Sequence, residues 1–272
     1  MPRARAIWVA LAALTLAQFA RAQQDGAPRA QQDGAPRAQE DAVPQPARAL
    51  LERAFANRYD VDLTAVIELV VRSDTGQERR RTLHAMSKVI DGRVHSLGRL
   101  VAPEHLRGMT VLMIESKDRS CDSFLYLPSL GRVRRVTTAQ RGDAFFGTDV
   151  TYADLERQRA DDFRLGGMHE ELRAGEPVLV LEATPLRGYD SARVRFAIAA
   201  SDLAILETAY WKRDAREPYR VIRAERASML AEKGHVLPTH LVVESRDRGT
   251  TTEVWLRDLR IDPEIEARLF SI

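Results

Sequence analysis

From residue 46 onward the apolar positions fall into two periods. Over residues 46–58, PARALLERAFANR, Leu50, Leu51, Ala54 and Phe55 share a stripe while Glu52, Arg53 and Arg58 lie outside it, which predicts one amphipathic helix. After it the period becomes two. Ile67, Leu69 and Val71 face one way, and Glu68 and Arg72 the other. The turn Ser73-Asp74-Thr75-Gly76 then lets residues 78–89 return as a hairpin partner. Strand patterns recur at 94–101, 110–116, 122–127, 132–138, 178–184, 192–199, 204–213, 219–229, 236–245 and 250–261. Many of them are separated by turn residues such as Asp91-Gly92, Lys233-Gly234 and Arg246-Asp247-Arg248-Gly249. Consecutive strands at hairpin spacing with few helices predict a mainly β (α+β) fold built on one antiparallel sheet. So many strands in a single open sheet rarely stay flat, so strong curvature is expected.

Three strands lack alternation: Thr110-Val111-Leu112-Met113-Ile114, Phe124-Leu125-Tyr126-Leu127 and Val178-Leu179-Val180-Leu181. An antiparallel strand that is apolar on both faces needs a cover for the second one. Helices, a second sheet or a ligand would each serve.

The beginning of the chain reads differently. Residues 1–22 carry Arg3 and Arg5, an apolar run from Ala6 to Leu16 and small residues at Ala20 and Ala22, the form of a cleaved export signal. No cysteine stands at the cleavage point, so a soluble periplasmic protein without a lipid anchor is expected. Residues 21–44 repeat an eight-residue unit, RAQQDGAP, almost three times with hardly a large apolar side chain, and residues 23–44 are expected to be a disordered linker. Residues 45–272 remain for the folded domain. The chain has 41 basic and 39 acidic residues, three of the arginines within the leader, so its apparent basicity vanishes on cleavage and a nucleic-acid partner is not indicated. The single cysteine, Cys121, excludes an internal disulfide framework. It is either a buried small residue beside a strand or a reactive thiol.

Catalytic signatures are weak. His169-Glu170-Glu171-Leu172-Arg173 begins like a zinc-protease helix but has Arg where the second His belongs. No nucleophile elbow, phosphate loop or dinucleotide turn occurs. Asp161-Asp162 reads as a solvated pair or as paired carboxylates. No catalytic residue, metal site or cofactor is therefore expected.

Residues 124–155 hold the densest signal. Arg132, Arg134 and Arg135 place charge on both sides of one strand, either as a solvated rim or as guanidiniums for carboxylate or phosphate. Phe145-Phe146-Gly147 is either a loop pinned to the core or a lid over a cavity mouth. Thr151-Tyr152-Ala153-Asp154 has the form of a capping box and predicts a short helix near Tyr152. The pattern Leu-Tyr-Leu-Pro-x-Leu-Gly-x-Val-Arg-Arg-Val, followed by Gln140-Arg141-Gly142-Asp143-x-Phe-x-Gly-Thr-Asp149-x-x-Tyr152-x-Asp154-Leu155, resembles the outer-membrane lipoprotein-sorting family, relatives of the periplasmic carrier LolA.

The resemblance implies an incomplete β-barrel closed on one side by a few helices around an apolar cavity. It implies a non-enzymatic carrier or chaperone for lipoprotein acyl chains or lipid, with an inner-membrane transporter as a further partner. The alternative is an accessory module that docks on an envelope transporter and carries nothing. On this reading Met113, Phe124, Tyr126, Phe145, Phe146 and Tyr152 are the candidate cavity and lid residues, and Arg132, Arg134 and Arg135 the docking rim. The physical demand is clear. Each methylene left in water costs about 0.8 kcal/mol, so a sixteen-carbon chain costs on the order of 10 kcal/mol.

Overall fold

The amphipathic stripe becomes α1 (Gln45–Tyr59) in a computed structural model that describes residues 45–118, 120–186 and 190–271. Residues 1–44, the expected export signal and the repeat, lie outside the described residues. The chain then runs through β1 (Leu63–Ser73), β2 (Glu78–Ile90), β3 (Arg93–Ala102), β4 (Thr110–Glu115), β5 (Cys121–Leu127) and β6 (Arg132–Val136). A long connection, residues 137–162, contains α2 (Tyr152–Leu155) and several 3-10 turns. The second half comprises β7 (Phe163–Arg173), β8 (Glu176–Pro185), β9 (Arg193–Ala199), β10 (Ile205–Trp211), β11 (Arg220–Ala224), β12 (Met229–Glu232), β13 (His235–Pro238), β14 (His240–Ser245) and β15 (Thr250–Ile261).

Thirteen strands form one sheet in the order β6-β5-β4-β3-β2-β1-β15-β14-β11-β10-β9-β8-β7, and β12 and β13 form a separate hairpin. Every ladder is antiparallel, and β1 paired with β15 joins the two halves. No ladder connects β6 to β7, so the curved sheet is an incomplete barrel. The hairpin turns follow from the residues placed in them. Asp91-Gly92, Ala174-Gly175 and Lys233-Gly234 each set two successive residues at positive φ, which matches strand twist and makes tight two-residue loops.

Two expectations need correction. Residues 163–173 are a strand although no strand pattern marks them. They form an edge, largely exposed, and a register shift between Leu165 and Met168 at Gly166-Gly167 breaks the alternation. The stretches 219–229 and 236–245 are each divided, because β11 ends at Ala224 and the chain leaves the main sheet for the β12–β13 hairpin before rejoining it at His240.

The inner face of the sheet carries the main core. Leu69, Leu83, Leu100, Val111, Met113, Leu181, Phe196, Tyr210, Ile222 and Val243 all belong to it. At one end α1 presses Phe55 against Phe196 and Phe163, with ring centroids at 5.6 and 6.1 Å. Burying rings of this size contributes most to such a core.

Much of the outer face is covered by the protein itself. Ile265 and Phe270 from the C-terminal segment pack on Leu112, Met86, Leu97 and Ile114. Across the other half, Val178, Val180 and Ala197 are buried beside a lattice of long charged side chains. Glu207 accepts from Arg223 at 3.1 Å and from Arg195 at 3.4 Å. The guanidinium of Arg193 lies 4.2 Å from the Trp211 ring centroid. Such side chains lay apolar stems over small neighbours and keep their charged heads wet. The absence of alternation in β8 therefore has a bland cause.

Candidate functional site

The connection 137–162 crosses the inner face as a roof, and the sequence motif at 140–155 encodes its attachment. Thr151 and Asp154 cap α2 reciprocally, the Asp154 N–H donating to the Thr151 hydroxyl and the Asp154 carboxylate accepting from the Thr151 N–H at 2.7 Å. The same carboxylate receives the buried guanidinium of Arg220 from β11, one contact at 3.1 Å, while Arg220 Nε donates to the Asp149 carbonyl at 3.1 Å. Burial opposes the Arg220 charge, yet Asp154 and Tyr210 more than offset it and hold its pKa above the ordinary arginine value. Asp149 accepts from the Thr250 and Thr252 hydroxyls of β15 at 2.6 and 2.7 Å. Arg248 donates to the Thr148 carbonyl at 2.7 Å, and Arg81 of β2 to the Phe146 carbonyl at 3.3 Å.

Phe145 hangs from this roof into the trough and is buried, in edge contact with Tyr152 at 5.6 Å and with Phe146 at 4.5 Å. Phe146 adopts positive φ, unusual for a bulky residue and sustained here by the anchored loop around it.

Beneath Phe145, Val150 and Leu155 the trough is incompletely filled. An apolar hollow of about 190 Å³ remains, open on one side. Its floor is made of small residues in register on adjacent strands: Ala85 opposite Gly98, and Ser87 opposite Ser96. Larger neighbours, Leu83, Val111 and Met113, supply the walls. A side chain at Gly98 would meet Leu83 Cδ1 at 3.0 Å, so the glycine keeps the floor low.

A second compartment of about 260 Å³ adjoins the hollow and shares Ser96, Met113 and Leu155 with it. It is polar. Glu115, at the inner end of β4, accepts from the Val94 N–H at 3.1 Å, from Arg157 at 3.3 Å and from Arg159 Nε at 3.2 Å. Burial alone would raise the Glu115 pKa, but Arg159, the Val94 N–H and Arg157 bring it below the ordinary carboxylate value. Glu156 accepts from Arg141 Nε at 2.8 Å, yet there burial wins and its pKa stays raised. Cys121 lines the same compartment. Burial, helped by Glu156, pushes its thiol up to about 12, so it is a protonated, unreactive thiol at neutral pH.

A family model described as "-like: Uncharacterized protein" matches residues 92–272, well over half the chain. The chain belongs to this family. Its fold is that of the LolA superfamily. A domain assigned to outer-membrane lipoprotein sorting from Vibrio parahaemolyticus superposes with a TM-score of 0.74 at 19% identity, covering 82% of this chain and 94% of that one. A DUF1329 family protein from Desulfovibrio piger gives 0.76 at 20% identity, covering 83% and 96%. A LolA superfamily protein from Nitrosomonas europaea gives 0.64 at 19% identity, covering 83% and 97%. At these identities the likeness is one of fold. No curated protein matches the sequence.

Within this family member the structure divides the residues singled out by sequence. Met113 and Phe145 line the apolar hollow together, and Phe146 packs against the same core. Tyr152 is buried behind Phe145 and supports it. Phe124 and Tyr126 point to the opposite face of the sheet, because on β5 they alternate with Ser123 and Leu125, and there they line an outer groove with Leu97, Val133 and Ser271. Arg132, Arg134 and Arg135 are exposed on the edge strand β6, with Arg135 paired to Asp122. His169 is exposed and pairs with Glu171 at 3.0 Å, and Asp161 pairs with Arg48. Among the described residues no group of three or more His, Cys, Asp or Glu is arranged to hold a metal ion.

Sequence reasoning missed the floor residues Ala85, Ser87, Ser96 and Gly98 and the anchor Arg220. The floor had a readable signal, small residues at every second position of two strands predicted to pair. Arg220 had none, since its partners lie 66 to 71 positions away.

Proposed function

We propose that this protein is a periplasmic carrier that shields a hydrophobic ligand, an acyl chain of a lipoprotein or a lipid, for outer-membrane lipoprotein sorting or lipid transport. In this reading residues 1–22 are its export signal, 23–44 a tether and 45–272 the carrier domain. The observation that carries the reading is the apolar hollow beneath Phe145, floored by Ala85 and Gly98. A dry cavity of about 150 Å³ accepts a benzene-sized guest, so this one accommodates roughly seven methylenes. Their transfer from water is worth about 5 kcal/mol. A membrane-to-hollow exchange is nearly oil to oil, so loading and release need no covalent step.

The test is uptake of an environment-sensitive acyl probe by delipidated protein. Wild type binds it with saturable stoichiometry, and Ala85→Leu, which fills the floor with apolar atoms, abolishes uptake while the protein remains folded by circular dichroism. Equal uptake by both proteins, or none by wild type, would rule the reading out.

A second reading, an accessory module docking on an envelope transporter, draws on the outer groove of Phe124, Tyr126 and Val133 beside the arginines of β6. It predicts co-purification with a membrane partner that charge reversal at Arg135, which stands opposite Phe124 on that face, removes.

A further inference from the structure

The polar compartment meets the apolar hollow along one seam. Ser96, Met113 and Leu155 belong to both, and at the seam the Ser96 and Ser87 hydroxyls lie 3.2 Å apart. We propose that the two compartments form a single amphiphile site, the hollow taking a short acyl chain and the polar compartment an uncharged head bearing hydroxyl or amide groups, with heads carrying phosphate excluded. The proposal rests on the carrier reading and narrows its ligand class.

The charges of the polar wall decide against an anion. Its lining includes Arg141 and Arg157 against Glu115, Glu156 and Asp162, and with Arg159, which also binds Glu115, and Asp60, which also binds Arg157, three arginines face four carboxylates, an excess of one negative charge. Both lining arginines are already engaged, Arg141 with Glu156 at 2.8 Å and Arg157 with Glu115 at 3.3 Å. Glu115 and Glu156 are themselves buried, at 6% relative exposure each. A phosphate drawing Arg141 away would take from the buried Glu156 the guanidinium it is paired with, and one drawing Arg157 would leave Glu115 to Arg159 alone; both exchanges are unfavourable. An uncharged head avoids that exchange. It accepts and donates at the Ser120 and Thr138 hydroxyls and at remaining carboxylate lone pairs, with the ion pairs intact. A compartment of about 260 Å³ has room for a glycerol-sized head.

The experiment compares three probes on delipidated full-length protein by calorimetry or fluorescence: monooctanoylglycerol, the same octanoyl glycerol bearing a phosphate, and N-phenylnaphthylamine as a headless apolar probe. The expected result is that monooctanoylglycerol binds on the order of tenfold more tightly than its phosphate, the factor that one excess charge exerts at roughly 10 Å and an effective dielectric of about 20. Glu156→Gln, its folding checked by thermal unfolding, is expected to close that gap by improving binding of the phosphate probe. Equal or tighter binding of the phosphate probe by wild type, with N-phenylnaphthylamine still bound, overturns the inference and leaves the carrier reading in place. Failure of wild type to bind N-phenylnaphthylamine removes the carrier reading and this inference with it.

Discussion

Asp154 and Arg220 hold the roof by a contact that water barely reaches, with side chains 4% and 8% exposed. Removing one partner of such a pair leaves a desolvated charge without compensation and typically costs about 3 to 5 kcal/mol. Asp154→Asn is therefore expected to lower unfolding stability by about that amount in a denaturant titration, far more than neutralising an exposed pair such as Arg246 with Glu217. Glu115 gives a prediction in pH. Its pKa lies below the ordinary 4.5 because Arg159, the Val94 N–H and Arg157 outweigh burial, so the folded state holds its proton less tightly than the unfolded chain. Its stabilising contribution is complete above that value and is lost as the pH falls through the lowered pKa. Thermal melts between about pH 6 and 3 should show wild type losing more stability than Glu115→Gln on acidification. Glu156 has the opposite sign, since burial raises its pKa, and it weakens the fold as the pH rises through that range.

At the scale of elements, the carrier reading makes the roof 137–162 the part that decides how large a guest fits. Phe145 fills most of the space under it and is anchored through Thr148, Asp149 and Asp154 rather than hinged, so the hollow as it stands suits a short chain. Phe145→Ala is expected to cost about 3 to 5 kcal/mol of stability and at the same time to shift acyl preference toward longer chains. Measuring affinity against chain length in both proteins checks this, and an unchanged length optimum would separate Phe145 from the binding site. The roof was also the most legible element in the sequence. Thr151 and Asp154 announce α2, while Leu50, Leu51 and Phe55 announce α1. Edge strand β7 was not legible, because an exposed strand interrupted by two glycines has no buried face to impose alternation. The doubly apolar strands were read correctly as needing a second cover, but a linear pattern does not distinguish a ligand from the stems of Arg193, Arg195 and Arg223 or from a C-terminal strap carrying Phe270. Phe124 and Tyr126 went to the outer face for the same reason. Alternation along β5 fixes that they share a face, and only the packing of the whole sheet says which face is the inside.

Over the whole molecule, an unclosed thirteen-stranded sheet leaves a trough that one helix and one roof nearly fill, and the residual space is placed where adjacent strands carry Ala85, Ser87, Ser96 and Gly98 instead of leucine or valine. A sheet whose interior served only stability would gain by filling that space, since cavities cost stability in proportion to their volume. Ala85→Leu is accordingly expected to hold or raise the melting temperature while removing ligand uptake, the trade of stability for function expected of a binding hollow. The central claim is that a hydrophobic guest occupies this space in the cell. Native mass spectrometry of the protein purified without detergent from its own source cells tests it most directly. The account predicts a bound species of acyl-chain mass on wild type that is absent from Ala85→Leu; wild type arriving with only its own mass, under conditions that preserve a control lipid carrier's cargo, would contradict it.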